Sequence, residues 1–358
     1  MIPKYFVLLC ASFVLLCGCN LSKEIEHLEK LSWVAWRNND SNFFRQFLAA
    51  DHVEVGTGGS ATKAEVAAGV ANRASEVDNY GAQSYPPSQF VDSVPFLQGT
   101  IGGHGPYWFL IDTGANRSAI DQRLISELGL PTESETEIQG AGGTIRTKTV
   151  TIPQLQLGSV QVENLKPTVY DLSTSLSPKG DAIAGIIGFD VLQKSVVLFD
   201  FKLGRVTVSR TEKIRGASRG VVSIPFVLDN GIPKLTITLD DTPIDLRLDS
   251  GASFGPTSDT YLNITESELA ALREREKGLM AIKYFSASGT GGNLTIPVFK
   301  AKKLTIAGLD LKSPFLIVQP RAGYFALPNA VGFIGLYTLR SWTEVLLDYP
   351  NQKLTLYR

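Results

Sequence analysis

The feature that most constrains the fold of this chain is an internal repeat built around two near-identical tetrapeptides. Asp-Thr-Gly-Ala occupies positions 112–115 and Asp-Ser-Gly-Ala occupies positions 249–252, each after a short apolar run. Each copy places a carboxylate at the end of a predicted strand, followed by a hydroxyl and a glycine. One copy arises by chance in many chains. Two copies, 137 residues apart, indicate a duplicated lobe that brings two carboxylates together.

The repeat extends beyond the tetrapeptides. Upstream, Ser-Val-Pro-Phe at 93–96 resembles Ser-Ile-Pro-Phe at 223–226. Downstream, Gly-Ile-Ile-Gly at 185–188 resembles Gly-Phe-Ile-Gly at 332–335. The same order of elements in both halves predicts two lobes of one design.

Residues from about 93 to 358 resemble the pepsin and retropepsin families of aspartic proteases, and more closely the bacterial two-lobed members with short, glycine-rich flaps. The resemblance rests on the two tetrapeptides and on the two later segments in which apolar residues precede a glycine. It implies a mainly β fold of two pseudo-symmetric acid-protease lobes, with a small α-rich module at the N-terminus.

The resemblance also implies roles for individual residues. The catalytic pair would be Asp112 and Asp249, supported by Thr113, Gly114, Ser250 and Gly251. A flap hairpin would follow the first element of each lobe. The candidate flap residues are Gly140, Ala141, Gly142 and Gly143 in the first lobe and Gly289, Gly291 and Gly292 in the second.

Hydrolysis of a peptide bond needs a base that activates water and an acid that protonates the leaving group. Two carboxylates about 3 Å apart cannot both ionise, so they share one proton and offer both roles. We therefore predict an aspartic-type endopeptidase that needs no cofactor and acts on peptide or protein substrates. Ala115 and Ala252 stand where pepsin-like enzymes usually carry a hydroxyl that stabilises the ionised pair, so we expect activity to peak at mildly acidic to near-neutral pH.

Arg247 departs from the family pattern. It lies two residues before Asp249, where the family usually has an apolar residue and where the first lobe has Leu110. A guanidinium that pointed inward would pair with a catalytic carboxylate and lower its pKa. The alternative function is therefore a catalytically silent, peptide-binding envelope lipoprotein that retains the protease cleft.

Other chemistries have little support in the sequence. The histidines, His27, His52 and His104, lack metal-ligand spacing, and none lies beside a Gly-x-Ser-x-Gly elbow. Asp200 and Asp348 recur at the ends of apolar strands, so we predict that they are turn residues. A net charge of −1 without a long basic run argues against nucleic acid as a partner. We predict no metal site and a monomer.

The three cysteines, Cys10, Cys17 and Cys19, lie within the first nineteen residues. A basic residue followed by the apolar stretch 5–16 is typical of a signal peptide, and this stretch is too short to span a bilayer. Leu-Cys-Gly-Cys at 16–19 resembles a bacterial lipobox, which implies that Cys19 carries a lipid anchor in a membrane of the cell envelope. An ordinary secretory signal is the alternative. The next residue is not aspartate, which favours the outer membrane over the inner one.

The segment 31–65 resembles the opening half of an NTF2-like (SnoaL-type) domain, but the long strands that should follow are missing. We therefore predict a small helical module, with a helix over 42–50 and a capping box formed by Thr62 and Glu65. In the lobes we predict a helix over 121–128 and another that starts at Thr265. The predicted divisions are a signal peptide at 1–19, the N-terminal module at 20–77, a linker at 78–91, the first lobe at 92–210, an inter-lobe linker at 211–220 and the second lobe at 221–358.

Overall fold

A computed structural model of the protein describes most of the two predicted lobes and a small part of the N-terminal region. The chain divides into two compact units, Met1–Ser84 and Tyr85–Arg358. The predicted signal peptide, the lipidation site Cys19 and most of the predicted N-terminal module lie outside the described residues. The described residues are 41–47, 53–56, 59–64, 88–140, 143–210, 220–252, 259–289, 292–311 and 313–358.

In the first unit the described residues form one helix and one hairpin, and Lys63 and Ala64 after the hairpin are also helical. Helix α1 is Ser41–Phe47, at the place of the helix predicted over 42–50. Strand β1, Val53–Gly56, pairs with β2, Gly59–Thr62. Glu65, half of the predicted capping box, lies outside the described residues. No helix in the described part of the chain is long and apolar enough to cross a membrane.

The first half of the second unit forms a ten-stranded sheet. Where one face of this sheet packs on the core, alternate residues of a strand are buried, as expected: Leu155 and Leu157 are buried, whereas Gln154 and Gln156 are only partly so. The strands are β3 (Ser88–Val91), β4 (Val94–Ile101), β5 (His104–Ile111), β6 (Ala119–Asp121), β7 (Thr132–Gly140), β8 (Gly143–Val150), β9 (Ile152–Leu157), β10 (Val160–Leu165), β11 (Thr168–Tyr170) and β12 (Gly185–Ile187).

The second half forms another ten-stranded sheet, and a five-stranded sheet contains strands from both halves. The five-stranded sheet consists of β13 (Val196–Asp200), β14 (Arg205–Ser209), β15 (Gly220–Pro225), β26 (Glu344–Asp348) and β27 (Lys353–Tyr357). The second ten-stranded sheet consists of β16 (Val227–Asp229), β17 (Ile232–Leu239), β18 (Thr242–Asp249), β19 (Tyr261–Thr265), β20 (Lys283–Gly289), β21 (Gly292–Lys300), β22 (Leu304–Ile306), β23 (Leu309–Leu311), β24 (Phe315–Gln319) and β25 (Gly332–Gly335).

The two large sheets have the same strand order. The first runs β10–β9–β4–β5–β12–β6–β11–β8–β7, with β3 on β4; the second runs β23–β22–β17–β18–β25–β19–β24–β21–β20, with β16 on β17. In each sheet, the strand that leads to a tetrapeptide lies parallel to a later strand, β5 to β12 and β18 to β25. The predicted mainly β fold with two pseudo-symmetric lobes is confirmed.

The lobes share a core. The five-stranded sheet runs β14–β13–β26–β27–β15, and the strand β13 of the first half pairs with β26 of the second, Leu198 opposite Leu346. One buried apolar cluster contains Ile111 from the first lobe, Leu248 from the second and Leu347 from the shared sheet. Because burial of apolar area is the main stabilising contribution to a fold, this continuous core holds the ends of β5 and β18 together.

The lobe helices begin and end where their capping residues predict. Asp121 accepts a hydrogen bond from the amide of Arg123 at 3.0 Å, and Gly129 adopts the left-handed conformation with φ of 60°. Thr265 and Glu268 form a complete capping box. The helices are α2 (Gln122–Leu128), α3 (Phe189–Leu192), α4 (Glu266–Arg275) and α5 (Leu336–Leu339), with a short 3-10 helix at Gly323–Ala326.

The structure differs from the sequence predictions in two details. Residues 88–91, which we placed in the linker, form β3 and pair with β4 through a turn in which Asp92 and Ser93 have φ of 48° and 76°. Hairpin turns with positive φ usually contain glycine or asparagine, so this sequence did not reveal the turn.

The upstream part of the predicted repeat is also wrong. Ser223-Ile-Pro-Phe lies in and just after β15 of the shared sheet, whereas Ser93-Val-Pro-Phe leads into β4. The strand that corresponds to β4 in the second lobe is β17, because each pairs with the strand that leads to a tetrapeptide. A four-residue similarity carries too little information to establish such a correspondence.

Candidate active site

Asp112 and Asp249 lie at equivalent places in the two lobes. Asp112 directly follows β5, and its amide donates to the carbonyl of Ile187 at the end of β12 at 2.9 Å. Asp249 is the last residue of β18 and is paired with Gly335 at the end of β25. In both lobes, therefore, a parallel neighbouring strand holds in place the end of the strand that leads to the aspartate.

The residues after the aspartates lock the lobes together. The hydroxyl of Thr113 donates to the carbonyl of Leu248 at 2.8 Å and accepts from the amide of Ser250 at 3.0 Å. Reciprocally, the hydroxyl of Ser250 donates to the carbonyl of Ile111 at 2.6 Å and accepts from the amide of Thr113 at 2.9 Å. Thr113 and Ser250 are fully buried, so these four bonds satisfy groups that water cannot reach.

The two glycines allow each aspartate to approach the opposite loop. A Cβ atom on Gly114 would lie 2.6 Å from the Cγ atom of Asp249, and one on Gly251 would lie 2.7 Å from the Cγ atom of Asp112. The amide of Gly114 also donates to Oδ1 of Asp112 at 2.8 Å. Only glycine fits at either position without displacing a carboxyl group.

Each carboxyl group lies against the glycine of the opposite loop, so the two groups interact electrostatically. Burial raises the pKa of Asp112. Burial, followed by the negative charge of Asp112, raises the pKa of Asp249 to about 8. The amides of Gly251 and Ala252 oppose this rise, and that of Ala252 donates to Oδ1 of Asp249 at 2.9 Å. The pair therefore retains a shared proton at neutral pH.

Arg247 forms its ion pair with Asp229. Its Nε and Nη2 atoms lie 3.0 and 2.8 Å from Oδ2 of Asp229. Its guanidinium carbon lies 4.1 Å from the ring centroid of Tyr324, in the 3-10 helix Gly323–Ala326, which we call the Tyr324 turn. The guanidinium thus has a carboxylate partner in its own lobe.

A supporting interaction in the first lobe was not predicted from the sequence. The amide and hydroxyl of Ser118 donate to Oδ1 of Asp190 at 2.9 and 2.6 Å, while the same hydroxyl accepts from the amide of Gly188 at 3.0 Å. This ties the loop after Asp112 to the glycine segment behind it. Asp190 follows Gly188 by two residues, as Tyr337 follows Gly335. This equivalent position in the two halves of the repeat was the sequence signal that could have identified Asp190 as part of the site.

Two buried tyrosines also lie close to the pair. The hydroxyl of Tyr337 accepts from Nδ2 of Asn263 at 3.3 Å, and burial together with the charge of Asp249 raises the pKa of Tyr337. Burial and the charge of Asp112 likewise raise the pKa of Tyr349. Both phenols therefore stay neutral and contribute no negative charge beside the aspartates.

Hairpins occur where the flaps were predicted. Strands β7 and β8 pair up to Gly140 opposite Gly143, and β20 and β21 pair up to Gly289 opposite Gly292. The tip residues, among them the predicted flap residues Ala141, Gly142 and Gly291, lie outside the described residues.

The remaining aspartates of the repeat form turns, as predicted. Oδ1 of Asp200 accepts from the amide of Leu203 at 2.8 Å, and Oδ1 of Asp348 accepts from the amide of Asn351 at 3.0 Å. Neither carboxylate belongs to the pair between the lobes.

Comparisons with known proteins find a similarity to aspartyl proteases in the first lobe. The aspartyl protease family model matches residues 97–191. A crystal structure of a retropepsin-like aspartic protease from Rickettsia conorii is 14% identical, with 38% of this chain and 87% of that chain covered and a TM-score of 0.26. The search of curated proteins finds no match. The matched segment contains Asp112 and Gly188, and it relates the first lobe of this chain to the aspartyl proteases.

Proposed function

We propose that the protein is an aspartic endopeptidase that hydrolyses peptide bonds through a water activated by Asp112 and Asp249. The observation that carries the proposal is the placement of the two carboxyl groups, each against the glycine of the opposite loop, in loops that the hydrogen bonds of Thr113 and Ser250 hold together. The engagement of Arg247 by Asp229 favours this function over that of a silent peptide-binding lipoprotein.

The chemistry follows from one shared proton. The ionised carboxylate takes a proton from a water molecule while the oxygen of that water attacks the peptide carbonyl carbon. The protonated carboxyl group donates its proton to the carbonyl oxygen. When the resulting gem-diol intermediate collapses, the protonated carboxyl group donates its proton to the nitrogen and the carbon–nitrogen bond breaks. The other carboxylate takes a proton from a hydroxyl group of the intermediate, so the pair regains its shared proton. An extended substrate between the lobes would hydrogen-bond through its backbone to a flap hairpin, as an added strand.

The test of this function is peptide hydrolysis by the purified protein and its inhibition by a statine-type peptide. Such a peptide mimics the tetrahedral intermediate, so it is expected to bind more tightly than a substrate of the same length by at least about 100-fold. Binding of peptides without any cleavage, and with no preference for the statine, would support the silent lipoprotein instead.

The pH dependence of activity follows from the raised pKa values. A pair whose pKa values are raised keeps its shared proton as the pH rises and loses it only above the higher apparent pKa, which burial raises to about 8 for Asp249. Activity falls on the acid side when the remaining carboxylate is protonated. We therefore expect kcat/KM to peak at mildly acidic to near-neutral pH. A maximum near roughly pH 2–3, as for a pepsin-type pair, would contradict this expectation.

We further propose that the enzyme is anchored by lipid on Cys19 in a membrane of the bacterial cell envelope. The lipobox-like sequence supports this anchor, and two acyl chains suffice for stable attachment. Cys19→Ser is expected to move the protein from the membrane fraction to the soluble fraction, whereas Cys17→Ser should leave it on the membrane. Membrane retention of Cys19→Ser after demonstrated signal cleavage would place the anchor elsewhere.

A further inference from the structure

The strand that ends at Asp249 carries a cation on the same face as the aspartate. In β18, Leu246 and Leu248 are buried, whereas Arg247 and Asp249 are only partly buried. Alternate residues of a strand point to the same face. In the first lobe the equivalent position is Leu110, which packs against an apolar cluster that includes Phe96. The two lobes therefore differ at the residue nearest to each aspartate on this face.

Arg247 links two segments that are distant in sequence. Its side chain is 14% exposed, and that of its partner Asp229, at the end of β16, is 29% exposed. The guanidinium carbon lies over the ring of Tyr324, 4.1 Å from its centroid. A planar guanidinium can donate in its plane to a carboxylate and stack on a ring at the same time, which a lysine ammonium cannot do.

The Tyr324 turn is held firmly on its second-lobe side. The hydroxyl of Tyr324 accepts from the amide of Val331 at 2.9 Å, just before β25. The ring of Tyr324 also meets that of Phe325 edge to face, with 5.1 Å between the centroids, and Phe325 is buried. Arg247, β25 and Phe325 thus give this turn a defined position.

On its other side, the Tyr324 turn meets the first lobe. Its Cα atoms approach those of both β7 and β8 to within 8 Å. The hairpin of β7 and β8 lies at the edge of its sheet, and β8 pairs with β11 at one position, Thr149 opposite Thr168. Most of this hairpin therefore extends beyond its own sheet, and part of it meets the opposite lobe at this turn.

We propose that Arg247 is a positioning residue that, with Asp229, holds the Tyr324 turn as the second-lobe surface on which the β7–β8 hairpin settles over a bound peptide. The proposal explains why this position carries arginine. An apolar residue would pack beside Asp249 but would leave Asp229 without its cation and Tyr324 without its stacking partner. The kinetic part of the proposal rests on the proposed function, whereas the position of the hairpin does not.

The test compares Arg247→Leu, which copies the first-lobe residue, with Tyr324→Leu, which removes the ring but keeps the ion pair. Deuterium exchange in 132–138 and 144–150 is measured with and without a statine-type peptide. Both variants are expected to speed exchange in these segments. Both should also raise KM by about tenfold, in the range of a stacked cation, with a smaller change in kcat and an unchanged pH profile.

Lys234→Leu is the matched control. Lys234 lies opposite Arg247 on β17, and its ion-pair partner is Asp245 at 3.5 Å, so its loss should alter neither exchange nor KM. Arg247→Lys keeps a cation without the planar stack, so it should give an intermediate effect. Thermal melts identify any variant that fails to fold, and the lysine variant then replaces the leucine one.

Unchanged exchange of the hairpin in Arg247→Leu and Tyr324→Leu would overturn the proposal. So would an equal effect of Lys234→Leu, which would mean that the loss of a cation from this face matters whether or not that cation contacts Tyr324. A shifted pH profile with an unchanged hairpin would show that Arg247 acts on the aspartates instead. If the wild-type protein cleaves no peptide, the proposed function fails, but the exchange measurements on the free protein still decide the role of Arg247.

Discussion

Asp112→Asn and Asp249→Asn are each expected to lower kcat/KM for peptide hydrolysis by about 10⁴-fold, the upper range for loss of a general acid or base. Each change removes one of the two groups that share the proton, so the remaining carboxylate cannot act as base and acid in turn. The fold should survive, because burial raises the pKa of both aspartates and so favours their uncharged forms. An amide of the same shape adds no buried charge. The measurements are steady-state kinetics and thermal melts.

The matched control for these variants is Asp348→Asn. This aspartate also ends an apolar strand of the repeat, but it accepts from the amide of Asn351 in an exposed turn. The turnover of the Asp348→Asn variant is expected to equal that of the wild-type protein. Near-normal activity of either Asp112→Asn or Asp249→Asn would show that the pair is not the catalytic centre, even if the chain proved to be a peptidase.

Gly114→Ala and Gly251→Ala are each expected to lower kcat/KM by about 100-fold or more, the loss that follows from misplacing a reacting group by about 1 Å. The added methyl carbon would lie 2.6 Å from Cγ of Asp249 or 2.7 Å from Cγ of Asp112, well inside van der Waals contact. The opposite carboxyl group must therefore move. The lock between Thr113 and Ser250 opposes any wider separation of the loops.

Gly278→Ala is the control for the glycine variants, because a Cβ atom at Gly278 would meet no heavy atom within 4 Å and its φ is not in the left-handed region. It should keep wild-type activity and stability. The glycine variants should lose kcat more than substrate affinity, since they disturb the reacting groups. Unchanged kcat in either would mean that the loops relax without moving the carboxyl groups.

Features signalled by local sequence were predictable. The ends of helix α2 were predictable from Asp121 and Gly129, and the start of helix α4 from Thr265 and Glu268. Capping bonds form between neighbours in the chain, so the local sequence reveals them. The hairpins around Gly140 and Gly289 were predictable from glycine-rich segments between β-branched runs. The duplication itself predicted that two lobes would place Asp112 and Asp249 at equivalent strand ends.

Contacts between distant segments were not predictable. The bond from Ser118 to Asp190 joins residues 72 positions apart, and the partner of Arg247 lies on another strand, 18 positions away. In a single sequence, nothing marks such pairs, because each side chain has many chemically equivalent partners. The similarity between 93–96 and 223–226 wrongly predicted that these segments are equivalent. Only the pairing of strands that are distant in sequence shows that β17 corresponds to β4.

The sequence by itself determined the mainly β class, the two-fold repeat and the residues that end its central strands, because these depend on period-two burial and on short motifs. The tertiary structure alone decided the geometry of the site. It showed that each glycine makes room for the opposite carboxyl group and that burial raises the pKa values of the pair. It also showed that Arg247 turns to Asp229 and Tyr324. These properties depend on distance and on exclusion of water, and both arise only when remote parts of the chain pack together.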